Sequence, residues 1–212
     1  MLSALQSHQA AFGEAPSVVI NTAAVQGPIG QSWIISSKEW GDALRTNLLG
    51  GFIITKCAVA LMMSKGHGSI IHFSGGGAAY GRPNFSAYAS SKAGLLRLVE
   101  TVSHELQQSG CPGITINAVA PGAVRTAMTD EIVRSTERAG AKEAAEAEAV
   151  RRSGGTPPEL ITALVDFLCD PDMNKGLSGR LIHVREDYLG FARRCDGRFP
   201  EDAGRLRRMP LS

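Results

Sequence analysis

An α/β fold built on a parallel sheet is what this sequence predicts, and three observations predict it. Short apolar runs bounded by turn formers alternate with longer amphipathic segments, which implies right-handed crossovers between parallel strands with helices on both faces. The apolar runs lack the polar alternation of a half-solvated sheet. With 212 residues, 43% apolar content and 24 glycines, the chain can bury one substantial core, so residues 1–212 read as a single domain.

The elements follow in order. SVVIN (17–21), SIIHFS (69–74), ITINAVA (114–120) and RLIHV (180–184) read as strands, each expected to be buried on both faces. Ser36 and Glu39 make a capping box for a helix whose apolar stripe is expected along Trp40, Leu44, Gly51, Ile54, Ala58 and Leu61. From Tyr88 a second helix carries Leu95, Val99, Val102 and Leu106 inward until Gly110 and Pro112 stop it. Thr156 and Pro157 open a third, ending near Cys169. The Ala/Glu-rich stretch 139–152 has the composition of an exposed helix, and no internal repeat is present.

Composition narrows the function. A net charge of +2 makes no electrostatic case for nucleic acid or a membrane surface, and the arginines after Arg185 are interleaved with acids such as Asp187 and Asp196, as on a solvated surface. Cys57, Cys111, Cys169 and Cys195 form no CxxC pair and the five histidines no HxxxH spacing, so neither a disulfide framework nor a metal site is expected. A reducing, cytoplasmic setting follows. The opening MLSALQSHQAAFGEAP lacks the basic start and continuous apolar run of a signal peptide or membrane span.

Two polar residues fall where the helical pattern wants apolar ones. Lys92 lies within the stripe set by Tyr88, Leu95 and Val99, where an ammonium without partners costs several kcal/mol. Asn47 interrupts the stripe of the first helix beside Gly50 and Gly51, where a buried amide needs partners at both ends. Each alone reads equally well as a residue at the edge of its stripe reaching water. Together they point to a polar site at the carboxyl ends of neighbouring strands, where open parallel sheets bind ligands.

At this point four motifs in register, NTAA (21–24), Asn47 within TNLLG, YASSK (88–92) and NAVAPGAVRT (117–126), resemble the short-chain dehydrogenase/reductase family over about residues 4–184. The resemblance implies a Rossmann-like sheet and an NAD(P)-dependent oxidoreductase interconverting a carbonyl and a secondary alcohol, with NAD or NADP as cofactor. It makes Tyr88 the general acid/base and Lys92 the cation that favours the phenolate and holds the cofactor ribose. Asn47 would place a water in the proton relay, Pro121, Gly122, Val124 and Thr126 would bracket the nicotinamide, and Asn21, Ala23 and Ala24 match the family's strand end. Residues 126–156 correspond to the substrate loop, and 185–212 form a C-terminal extension whose REDYLG replaces the family's usual ending. Helices 38–63 and 88–108 resemble the family's subunit interface, which implies a homodimer or homotetramer.

Two departures qualify this. The family's substrate-orienting serine stands thirteen positions before the tyrosine, and that position is Gly75. Ser74 is adjacent, but one step along a strand turns a side chain to the opposite face. Either the chain turns early and swings Ser74 inward, or the Gly76 and Gly77 amides donate as a nest; Tyr80 is a third donor. The family's leading strands, glycine-rich turn and helix for the pyrophosphate are not in this sequence, so the fold is expected to lack the first three strands and to leave SVVIN as an apolar edge. A longer parent protein, pairing through that edge, and loss of dinucleotide binding compete as explanations. A non-catalytic assembly subunit and a cofactor-free lyase or isomerase using Tyr88 remain as alternatives to the oxidoreductase.

Overall fold

The computed structural model describes residue 7 and residues 9–207. The readings made on residues 1–6 and 8, and on the end of the extension at 208–212, lie outside them. Among the described residues one sheet has four parallel strands in the order β1 (Val18–Asn21), β2 (Gly68–Phe73), β3 (Ile114–Ala120) and β4 (Leu181–His183). All four carboxyl ends therefore lie along one rim of the sheet.

On one face, α1 (Ser37–Leu44) runs through a π-helical turn (Arg45–Leu49) into α2 (Gly50–Met62), beside α3 (Ser86–Gln108). Ala58, Met62, Ile70, Val99, Leu106 and Ile116 close the core between these helices and the sheet. Later helices are α4 (Ala127–Arg134), α5 (Thr136–Ala139), α6 (Ala141–Ser153), α7 (Pro158–Cys169), α8 (Pro171–Asn174) and α9 (Tyr188–Cys195). The opposite face is covered by α7 and α9, whose Leu164, Phe167, Leu168 and Ala192 pack on Ile71, Val119 and Ile182.

Three expectations need correction. β1 is not buried on both faces: Val18 and Ile20 are 38% and 47% exposed. β1 is the edge strand, its inner residues Val19 and Asn21 face the α2 side, and the apolar cluster of α7 contains no β1 residue. The buried line of α1 and α2 runs Ala43, Asn47, Gly51, Thr55, Ala58 and Met62, not Trp40, Leu44, Ile54 and Leu61. Close approach explains this: a Cβ on Gly51 would lie 2.8 Å from Leu95 Cδ1, so small and polar residues take the contact while the larger side chains flank it. By length and mean hydropathy the stretch Ser37–Met62 could cross a membrane; here it packs against β1, β2 and α3 and leaves Leu49, Phe52, Ile53 and Met63 half exposed outside. The extension also contains a helix the sequence reading missed, α9, opened by Asp187 accepting from Gly190 N and anchored by Tyr188 against Phe167, ring centroids 4.9 Å apart.

Residues 126–153 leave the sheet after β3 and return across a narrow stem. Thr156 N donates to Ala123 O at 2.7 Å, Arg125 N to Gly154 O at 3.3 Å, and Val124 bridges Gly155. Gly154 and Gly155, at φ +82° and +77°, make the return turn. The segment's three helices, α4 to α6, then fold back so that Ile132, Ala139 and Ala147 pack on Ile29, Phe85 and Tyr88. Arg185, Arg193, Arg194 and Arg198 of the extension are exposed, as expected of a solvated surface, while its end is tied down: Arg180 donates to the carbonyls of Pro200, Glu201 and Ala203, and Arg207 pairs with Glu100 and Asp202.

Candidate active site

The loop that leaves β1 is fixed by two buried amides. Asn47 Oδ1 accepts from Val25 N at 2.9 Å, and its Nδ2 donates to Val25 O at 2.9 Å and to Ser91 Oγ at 3.0 Å. Both ends of this carboxamide are satisfied, as its burial requires. The π-helical turn is what carries Asn47 to this line. Asn21 similarly accepts from Ala23 N at 3.1 Å, while its Nδ2 meets His72 Nδ1 at 3.0 Å.

The tautomer of His72 follows from its neighbours. Thr55 Oγ1 spends its only proton on Gly51 O at 2.9 Å, so His72 Nε2 must donate to Thr55 Oγ1 at 2.8 Å, and Nδ1 is left to accept from Asn21. The ring is thus held neutral, and burial, with Lys92 nearby, pulls its pKa from 6.5 down to about 4. Because the folded value lies below the unfolded one, the unfolded chain takes up this proton first as pH falls. The stability that His72 contributes is full above pH 6.5 and lost progressively towards pH 4, by roughly 3 kcal/mol. Urea unfolding of the wild type and His72→Gln across that window should show the steeper fall in the wild type.

Tyr88 and Lys92 lie one turn apart on α3, and both are buried. Lys92 is 2% exposed; its Nζ donates to Phe73 O at 2.7 Å and sits 5.6 Å from the Tyr88 ring centroid. No carboxylate among the described residues pairs with it, and burial pushes its pKa down to about 8. The Tyr88 hydroxyl makes no hydrogen bond among the described residues; burial raises its pKa, and Arg82 opposes that rise. Gly75 lies against this phenol: a Cβ there would fall inside the van der Waals shell of Oη and 3.1 Å from both Cε1 and Cζ.

Ser74 follows Ile70 and His72 by strand alternation onto the α2 and α3 side, with its amide still in the ladder through Val119 O. The chain turns at the glycines beyond it, with Gly77 at φ +91°. Ser74 Oγ is buried and has no hydrogen-bond partner among the described residues. A buried hydroxyl of that kind costs about 1–3 kcal/mol unless a ligand or water engages it.

These groups surround a cavity of about 720 Å³ at the carboxyl rim of the sheet. Of the residues singled out from the sequence, Ala24, Ser74, Tyr88, Lys92, Pro121, Gly122, Val124 and Thr126 line it; Asn21, Ala23 and Asn47 stand behind the wall and brace it. Others were not legible in advance. Gln26 lines the cavity with Nε2 buried and unpartnered, and it stands in a loop with no periodicity to flag it. Arg82 and Glu143, 61 positions apart in sequence, meet across the mouth with Nη2 to Oε2 at 2.7 Å and Nε to the same oxygen at 3.0 Å. For His72 and Thr55 a signal was available, a polar residue within an apolar strand and one on a buried helix line.

Such a site, a phenol and an unpaired buried ammonium bordering a cavity at a sheet rim, can move a proton at a ligand oxygen and hold polar groups of a second ligand. The family profile described as short chain dehydrogenase matches residues 3–137. The chain is 38% identical over 159 residues to the short-chain reductase protein NovJ of Streptomyces niveus, covering 71% of this chain and 56% of that protein. With the (3R)-3-hydroxyacyl-CoA dehydrogenase of Mus musculus it shares 37% identity over 131 residues, 60% of this chain and 48% of the other. With the 3-oxoacyl-[acyl-carrier-protein] reductase FabG of Escherichia coli the identity is 31% over 182 residues, 86% and 70% respectively. The chain therefore spans about half the length of the first two of these relatives. Its fold resembles the solved structures of a point variant of actinorhodin polyketide ketoreductase with NADPH (TM-score 0.73, 23% identity, 93% of this chain and 73% of that one) and of ElxO with NADP bound (TM-score 0.69, 22%, 89% and 73%). At these identities the likeness concerns the fold.

Proposed function

The chain belongs to the short-chain dehydrogenase family, and from that premise we propose that it serves an NAD(P)-dependent oxidoreductase interconverting a carbonyl and a secondary alcohol. The observation that carries this reading is the Lys92 ammonium: buried, unpaired with any acid, bonded through one of its three donors to Phe73 O, and facing the cavity that Tyr88 lines. Such a group is costly to a fold that does not use it. When bound, a nicotinamide cofactor supplies or accepts the hydride.

The chain's own residues have separate tasks in this scheme. Tyr88 Oη, free of other hydrogen bonds, gives its proton to the developing alkoxide in reduction and takes one back in oxidation. Lys92 keeps two donors for ribose hydroxyls. Ser74 Oγ, without a partner among the described residues, is the donor that orients the substrate oxygen. Pro121, Gly122, Val124 and Thr126, which line the cavity, would hold a bound nicotinamide, and Asn21, Ala23 and Ala24, at the strand end, would support its ribose. Asn47, by gripping Val25, fixes that strand end. The names of two relatives make 3-oxoacyl and 3-hydroxyacyl thioesters the first substrates to try.

Titration of the melting temperature with NADH and NADPH tests the cofactor. A rise of several degrees at millimolar concentration is expected, and its absence for both would move the reading to an assembly subunit or a cofactor-free lyase or isomerase. If turnover is found, Tyr88→Phe should abolish it, and unchanged turnover would remove the phenol from the mechanism. We also place the subunit contact of a homodimer or homotetramer on helices 38–63 and 88–108, where half-exposed Leu49, Phe52 and Ile53 make an apolar outer face. Light scattering that finds only monomer would overturn this. The four cysteines, all free, suit a cytoplasmic protein.

A further inference from the structure

The partly buried ion pair bordering the cavity has no task in the mechanism above. Arg82 reaches it from the loop between β2 and α3, and Glu143 from α6 of the segment that folds over the site. Their side chains are 13% and 18% exposed, so the pair is shielded from solvent screening. The guanidinium carbon lies 4.0 Å from the Phe85 ring centroid and 5.9 Å from that of Tyr88. Two N–H groups converge on one oxygen of Glu143, which holds the cation in place over these rings.

We propose that Arg82, with Glu143 as its counter-charge, is a positioning residue that sets the proton affinity of the Tyr88 phenol and makes that affinity depend on the docking of the segment 126–153. The inference rests on the reading of Tyr88 as the acid/base group. A phenol becomes an anion when its proton leaves, and a cation about 6 Å away in a partly buried site stabilises that anion by Coulomb attraction. Glu143 subtracts from the effect while it is docked against Arg82, and withdrawal of α6 would leave the cation uncompensated.

The other charges around the phenol do not duplicate this. Lys92, on the same helix, is as near, but burial brings its pKa down to about 8, so it is neutral in the range where a tyrosine loses its proton. The guanidinium keeps its charge throughout. Glu146, on α6, His183, at the end of β4, and Glu186, just beyond it, also border the cavity but make no hydrogen bond or ring contact with Tyr88 among the described residues, and Glu100 is engaged by arginines of the tail. Arg82 is thus the lasting cation beside Tyr88.

Alkaline titration of the full chain, followed by tyrosinate absorbance at 295 nm, tests this without substrate or cofactor. The chain has three tyrosines, and subtracting the curve of Tyr88→Phe isolates Tyr88; circular dichroism defines the pH range in which each variant stays folded. Arg82→Met should move the Tyr88 curve to higher pH, lowering the tyrosinate fraction at a fixed pH below the midpoint by roughly threefold to tenfold. Arg82→Lys should restore most of the wild-type curve. Glu143→Gln keeps an acceptor for Arg82 but removes the negative charge, so it should move the curve the other way, to lower pH. A purely structural role would not produce opposite shifts. An unmoved or lowered curve for Arg82→Met, or an unmoved or raised one for Glu143→Gln, overturns the proposal. Should Arg82→Met not fold, the sign for Glu143→Gln decides alone. Opposite shifts together with no response to NADH or NADPH would sustain the tuning of Tyr88 while removing the oxidoreductase reading.

Discussion

Gly75→Ala is expected to destabilise the protein by about 2 to 3 kcal/mol, and adding Tyr88→Phe to it should restore part of that loss. The new methyl group has no room, because the Tyr88 hydroxyl already fills the space where a Cβ would go. Relief must come from displacement of the ring or of the strand end, and the ring is packed among Phe85, Ile29 and Ile132. Removing Oη relieves the worst overlap but leaves the approach to Cε1 and Cζ, so recovery should be incomplete. Urea midpoints of the two single variants and the double variant check this through their non-additivity. Additive effects would mean that the phenol swings aside at little cost. The same geometry predicts that Gly75→Ser, which restores the residue type expected at this position, will not improve the site: the hydroxyl arrives on a Cβ that pushes the acid/base group out of place.

Asn47→Ala should cost about 2 to 4 kcal/mol, since it removes three hydrogen bonds and leaves Val25 N and O without their protein partners. The effect should be local as well as global. Exchange of the Val25 amide should accelerate well beyond that of β2, because this side chain is what holds the loop against the helix pair. Asn47→Asp keeps the acceptor for Val25 N but turns a buried carboxylate oxygen towards Val25 O, and Ser91 has already given its proton to Tyr88 O, so a loss at least as large as that of the alanine variant is expected. If both variants unfold at the wild-type urea midpoint, Asn47 does not brace the loop.

The parts of the fold that were legible in the sequence were those whose pattern is local. The four strands fall within a residue or two of their expected limits, and the helices are in their expected order, because apolar runs and caps such as Ser36 carry their own signal. Burial of Lys92 and Asn47 was legible as polar residues on apolar helical lines. The buried line of α1 and α2 was displaced because size, not hydropathy, selects residues where helices approach closely, as Gly51 and Leu95 illustrate. Half-exposure of β1 was hidden because a strand's sequence does not say where helices lie over it. The Arg82–Glu143 pair and the orphaned Gln26 amide could not be found at all, since only tertiary folding brings residues from such distant positions to one cavity.

The stem closed by Ala123 and Thr156 has an evolutionary consequence. Because residues 126–153 begin and end at one short bridge flanked by Gly154 and Gly155, their length and composition can vary without disturbing the order or spacing of the strands. The scaffold thereby separates two kinds of change: exchange of this cassette reshapes what the cavity admits and what packs over the Tyr88 ring, while the one-turn spacing of Tyr88 and Lys92 is fixed within α3 itself.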